Sequence, residues 1–152
     1  MWLPQFFRPD PTRPPVRLTA DGWQVFDAAV RVARRNRHEY VSTEHLLIGI
    51  VEAGSTPAGV ALEQAGIAAR AILQQWNSAL GLGQVDGPLP LTPRAKMVFE
   101  AAQREVEKTG AAVSSLGLLL ALARETDGIA RELMARAVAA AAEPGPEPDG
   151  GA

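Results

Sequence analysis

Residues 18–37, "LTADGWQVFDAAVRVARRNR", decide the fold because they return as residues 91–110, "LTPRAKMVFEAAQREVEKTG". Leu, Thr, Val, Phe, Ala, Ala and Arg recur at a constant offset of 73. After a one-residue deletion, "VSTEHLLIGI" (41–50) aligns with "VSSLGLLLAL" (113–122) at an offset of 72. Ala58 then meets Ala130, and Leu62 meets Met134. A duplicated unit of this length implies two similar packed modules, with "GLGQVDGPLP" (81–90) supplying the glycines and prolines of a linker between them.

Each copy reads as short helices. Thr19 and Thr92 stand where N-caps belong, and Pro93 suits a first helical turn because its missing N–H has no partner there. Phe26, Ala29 and Ala33 repeat at helical spacing, as do Val98, Phe99, Ala102 and Val106, and Gly110 suits a helix end. Ser42 or Thr43 starts a second helix. Its interior residues, Leu46, Leu47, Ile48, Ile50 and Val51, leave no polar face, so it belongs at the centre of the molecule. Thr56 and Pro57 start a third helix that Gly66 closes, and Ala69 to Leu80 makes a fourth. In the second copy a third helix starts near Asp127, and the Ala-rich run beyond it gives a shortened or fused fourth. No stretch alternates as a strand does. The expected fold is all-α, a duplicated four-helix repeat forming a pseudo-twofold bundle.

The domain is expected at 18–142, with repeat 1 at 18–80, the linker at 81–90 and repeat 2 at 91–142. Residues 1–17 hold five prolines and read as a flexible arm; residues 143–152 hold three prolines and three glycines and read as a disordered tail. Trp2, Phe6 and Phe7 on the arm cannot bury themselves, so they either pack on the domain or anchor another protein. Trp23 and Trp76, inside helical patterns, are expected in the core or half-buried.

The 152 residues include no cysteine, which removes disulfides, zinc thiolates and thiol nucleophiles. A formal charge of −2 gives no overall basic field for nucleic acid. The apolar runs fall short of the roughly 20 residues of a membrane span, and the N-terminus lacks the basic region of a secretory signal, so the cytoplasm is the expected location.

At this point the sequence resembles the N-terminal domain of Clp-type ATPases. The matching stretches are "LTADGWQVFDAA", "YVSTEHLLIGIVEAG" with "ALEQAGI", and in the second copy "LTPRAKMVFEAA" and "GIARELM". Thr43-Glu44-His45-Leu46-Leu47 followed by Gly49 is the most specific of them. The resemblance implies a duplicated four-helix fold and a non-enzymatic, protein-binding role. These domains take adaptors or substrates and pass them to an ATPase ring that serves proteolysis or disaggregation. The implied partners are Clp ATPase or protease components, or their substrates and adaptors; no cofactor is implied. Some members hold phosphorylated arginine on the Glu of the Thr-Glu-His motif in each copy, which points to Glu44. Thr43 and His45 flank it, and Thr19 and Thr92 match the threonines near the ligand phosphate. Leu116 and Gly117 replace Glu and His in the second copy, and Asp21 stands where the family often has arginine. The chain carries no G-x-x-x-x-G-K-[ST] loop, so it reads as an N-domain apart from the ATPase.

Plainer readings stand beside these. Glu44 in a first helical turn also serves the helix dipole. His45 reads as a packed residue with one ring nitrogen bonded rather than a catalytic base. His38, Glu39, Glu44 and His45 do not form H-E-x-x-H, and the Ser-Thr cap separates the histidines, so no metal site is expected. No G-x-S-x-G elbow or other catalytic constellation occurs. Arg31, Arg34, Arg35 and His38 line one side of the first helix as a solvated face or a docking surface for an acidic partner. Two alternatives remain: a structural subunit docking on the Clp protease or ATPase without substrate contact, and a nucleic-acid-associated regulator using the Arg31–Arg35 face.

Overall fold

The computed structural model describes residues 10–67, 69–76, 81, 83, 86–125 and 131. Six α-helices carry them: α1 (Ala20–Arg35), α2 (Thr43–Glu52), α3 (Pro57–Gln64), α4 (Ala69–Gln75), α5 (Pro93–Val106) and α6 (Ser115–Arg124). No strand occurs among the described residues; two isolated parallel bridges are the sole extended pairing there. The all-α expectation holds.

Each repeat begins its helices with side-chain caps. Thr19, Thr56, Thr92 and Ser114 accept the backbone N–H of Gly22, Gly59, Ala95 and Gly117 respectively, so an otherwise unpaired donor at each helix start is satisfied. Ser42, not Thr43, is the N-cap of α2. Gly110 follows α5 and a short 3₁₀ turn (Glu107–Thr109) with φ of 67°, the left-handed region that favours glycine. Its mate in repeat 1 is Arg37, which adopts φ of 58°.

α2 is buried along almost its whole length, and Leu46, Leu47, Ile48 and Ile50 are fully enclosed. It crosses α1 closely at Gly49, where a Cβ would lie 2.7 Å from the Val25 carbonyl oxygen and 2.9 Å from the Ala29 nitrogen. The glycine of the most specific motif is therefore a packing requirement. Phe26 and Phe99, equivalent residues of the two repeats, meet edge-to-face with ring centroids 6.2 Å apart. The repeats share one core around this pair, with Val25 and Val32 on one side and Val98, Leu118 and Leu122 on the other.

The two bridges show how the repeats are joined. Leu18 pairs with Val113, and Leu91 pairs with Val41. Leu18 and Leu91 are equivalent, as are Val41 and Val113. Each repeat thus opens beside the second helix of the other, and this exchange defines the pseudo-twofold relation.

Three expectations change. Helix α4 ends at Gln75, with Trp76 just beyond it and residues 77–80 outside the described set. Trp23 is 41% exposed, its ring meeting Phe26 edge-to-face with centroids 5.8 Å apart. α1 ends at Arg35, so His38 does not continue the arginine face. The proposed helix from Asp127, the contacts of Ala130 and Met134, the aromatics of residues 1–9 and the tail 143–152 lie outside the described residues. Among those described, no single helix is long and apolar enough to cross a membrane.

Candidate functional site

The exchange between repeats divides the expected site residues into two groups. Val41 donates its N–H to the Pro90 carbonyl, and Thr92 donates its own to the Val41 carbonyl, both at 2.9 Å. Thr92 therefore stands beside the start of α2, with Thr43, Glu44 and His45. Thr19 instead donates its N–H to Val113, 3.0 Å away, and stands beside the start of α6. Thr92 thus stands with Glu44, and Thr19 stands with the start of α6.

At the start of α2, His45 is fully buried. Its Nδ1 accepts the Ser42 backbone N–H at 2.9 Å and lies 3.0 Å from the Ser42 hydroxyl. This is a capping box in which an imidazole fills the position usually held by Glu or Gln. A backbone N–H can only donate, so Nδ1 carries the lone pair and Nε2 carries the proton. Nε2 donates to Nδ1 of His38, 2.7 Å away. Burial pushes the His45 pKa down to about 4, helped by the neighbouring His38. His38 also stacks on Tyr40, with ring planes 3° apart.

Thr43 is buried, whereas Glu44 is half-buried and faces the α4 end. The Trp76 indole Nε1–H donates to Glu44 Oε2 at 3.2 Å, and its ring stands edge-on to His45 at 6.5 Å. The carboxylate thus holds a neutral donor that a charged guanidinium could exceed in strength. Thr92 spends its hydroxyl capping α5.

His38, Glu44 and His45 do come together: one ligand atom from each lies within 4.8 Å of the others. The expectation that the Ser-Thr cap keeps the histidines apart is corrected, because Arg37 in its left-handed conformation turns His38 back toward α2. Glu39 is not in the group. A cation would need the His45 Nε2 lone pair, and the Ser42 N–H keeps the proton on that nitrogen. A metal-ligating imidazole ordinarily donates through its other nitrogen; this one accepts.

The start of α6 is built differently. Asp21 accepts the Ser115 N–H through Oδ2 at 2.9 Å and the Thr19 hydroxyl through Oδ1 at 2.5 Å. Burial raises its pKa, but the bonds from Ser115 and Thr19 outweigh that and hold the carboxyl below its usual value. Asp21 is thus a built-in anion at a helix N-terminus, where an external phosphate would otherwise find donors. Leu116 occupies Glu44's place, 39% exposed.

Sequence reasoning missed Trp76 as the partner of Glu44, since no periodicity connects residues 32 positions apart. It also passed over Arg94, which the offset of 73 places as the mate of Asp21. Arg94 is exposed in the first turn of α5, two residues from Thr92, and pairs with Glu125 at 3.8 Å. The expected arginine face is partly engaged: Arg34 donates to the Gly87 carbonyl and Arg35 pairs with Glu52.

The chain is similar to known proteins. The chain is 34% identical over 120 residues to the negative regulator of genetic competence ClpC/MecB of Bacillus subtilis, covering 78% of this chain and 15% of that protein. It is 33% identical over 120 residues to the chaperone protein ClpB of Oceanobacillus iheyensis, with the same coverage of each. Both relatives are thus far longer than the chain. The crystal structure of the N-terminal domain of the caseinolytic protease associated chaperone ClpD from Arabidopsis thaliana shares the fold, with a TM-score of 0.52 and 18% identity over 82% of this chain and 94% of that one. The sequence model of the Clp repeat (R) N-terminal domain matches residues 17–139, and the chain belongs to that family.

Proposed function

We propose that the chain is a non-enzymatic protein-recognition module that takes substrates or adaptors of a Clp chaperone-protease system at one site, the joint start of α2 and α5. The observation that carries this reading is the half-exposed Glu44 carboxylate, held in the first turn of a helix and bonded only to an indole among the described residues. A guanidinium offers a charge-assisted, bidentate replacement for that one neutral bond. Arg94 and the N-termini of α2 and α5 supply positive potential for a phosphate on the same ligand, so a phosphoarginine side chain fits both halves. The start of α6 takes no such ligand, because Asp21 fills its anion position and Leu116 offers no carboxylate.

Titration calorimetry with a phosphoarginine-bearing peptide tests this. Binding to the wild-type chain, loss of about tenfold or more in affinity with Glu44→Ala, and modest tightening with Trp76→Phe are the expected results, since hydrogen bonds to charged groups contribute about 1.5–3 kcal/mol. Unchanged affinity with Glu44→Ala would overturn the site.

A second reading draws on the same contact. Trp76 already satisfies Glu44, as it would in a subunit that docks on the Clp protease or ATPase without touching substrate. Recovery of those subunits in equal amounts by wild type and Glu44→Ala would favour it.

A further inference from the structure

From Trp23 onward, the exposed residues of α1 are Trp23, Gln24, Asp27, Arg31, Arg34 and Arg35, and their three- and four-residue spacing sets them on one stripe. The stripe has a direction. An aromatic ring and a carboxylate lie toward its start, and the guanidiniums lie toward its end. Asp27 and Arg31 stand one turn apart, a spacing at which an acid and a base on a helix can pair. Neither forms an ion pair among the described residues. Arg35 is paired with Glu52, and Arg34 donates to the Gly87 carbonyl. Beside the stripe runs a groove of about 360 Å³, lined by Phe26 and Val30 of α1 and by Pro88 and Leu89 of the linker together with Asp27 and Arg31.

We propose that this stripe binds a second copy of the chain, α1 against α1, antiparallel about a twofold axis near Ala29. A twofold interface is self-complementary: if one residue meets another across it, the reverse contact forms as well. Asp27 then meets Arg31 of the second copy, and the same ion pair recurs on the other side of the axis. The axis that sets Asp27 opposite Arg31 also sets Trp23 opposite Arg35, because both pairs are centred on the same position. Trp23 is exposed, and a guanidinium that keeps its carboxylate partner still offers its face to an indole ring. Val30, next to the axis, brings the apolar linings of the two grooves edge to edge, which removes apolar surface from water. A parallel pairing would set Asp27 against Asp27 and Arg31 against Arg31, so repulsion fixes the orientation. A single helix pair buries less than the roughly 1,200 Å² of a standard interface, so the dimer is weak and depends on concentration. Thr43, Glu44 and Trp76 are not on the stripe, so the dimer stands or falls independently of ligand binding at the start of α2.

Sedimentation velocity of the full-length chain at low salt, from micromolar to millimolar concentration, tests this. The wild-type chain should pass from monomer to dimer as concentration rises. Asp27→Arg and Arg31→Asp should each weaken association by about tenfold or more, since each sets like charges against one another across the axis. An equimolar mixture of the two variants should dimerise again, because two arginines of one chain then face two aspartates of the other. Both residues are exposed, so the melting temperatures of the variants should stay close to that of the wild type. A wild-type chain that stays monomeric would overturn the proposal and leave the stripe to a partner of another sequence. Dimers that neither substitution weakens, or a mixture that associates no better than its components, would overturn it as well.

Discussion

The starts of α2 and α6 are equivalent by sequence offset, share a serine N-cap, and solve the same electrostatic problem in opposite ways. α2 carries its own carboxylate, Glu44, and borrows a covering indole from Trp76. α6 carries Leu116 instead and borrows a carboxylate, Asp21, from the other repeat. The difference continues one turn on. Ile48 is fully buried, and its mate Leu120 is 55% exposed. In repeat 1, α4 packs on α2 and brings the buried Ile72 with it. The sequence positions equivalent to α4 are 141–147, which lie outside the described residues. Duplication gave two similar starts, and among the described residues only the α2 start carries a carboxylate of its own, whereas the α6 start takes one from the other repeat.

The largest expected break in the comparison comes from acid, because only α2 uses an imidazole in its cap; the mate of His45 is Gly117. The folded chain keeps His45 neutral down to about pH 4, whereas the unfolded chain protonates it near 6.5. The unfolded state therefore binds the extra proton first, and stability falls as pH drops from 6.5 toward 4, by on the order of 3 kcal/mol across that window. Urea unfolding at pH 7 and pH 4.5 measures it. His45→Gln retains an acceptor for the Ser42 N–H and should flatten the slope. A wild-type slope matched by His45→Gln would show that the buried imidazole is not the acid-sensitive group.

A smaller effect separates the two helix crossings. Gly49 lets α2 approach α1 to backbone contact, and its mate on α6 is Ala121, half-buried. Gly49→Ala should cost about 2 kcal/mol through overpacking against the Val25 carbonyl, despite alanine's better helix propensity. Ala121→Gly should cost about 1 kcal/mol, the propensity alone. Denaturation midpoints of the two variants check this; equal costs would mean that the crossings are alike.

The fold was legible because duplication made each helix testify twice. Phe26 and Phe99, Thr19 and Thr92, and the all-apolar α2 all follow from the offsets and from helical periodicity. The site was legible only in part. Ser42, Glu44 and His45 stand together by local sequence, but that Thr92 neighbours Glu44's helix follows only from the exchange of opening segments between the repeats. Linear order carries no sign of that. His38 reaching His45 was hidden as well, since it depends on Arg37, a non-glycine residue, taking a left-handed conformation.

That conformation supplies the finest test. Arg37 and Gly110 are mates that end α1 and the α5 segment with nearly the same φ, 58° and 67°. After α1, the His38 N–H reaches back to the Ala33 carbonyl at 2.9 Å, the six-to-one bond of a Schellman-type ending. An L side chain in this region costs roughly 1–2 kcal/mol, and glycine avoids that at the expense of a larger loss of freedom on folding. Arg37 is exposed, so its side chain adds little to offset the strain. Arg37→Gly should therefore gain about 0.5 kcal/mol, and Gly110→Arg should lose at least as much. Opposite signs in the two unfolding free energies would show that the repeats share one backbone requirement met with unequal residues. A loss in Arg37→Gly would mean that the arginine holds the turn that brings His38 onto His45, and the pH slope of that variant, compared with wild type, would reveal the same coupling.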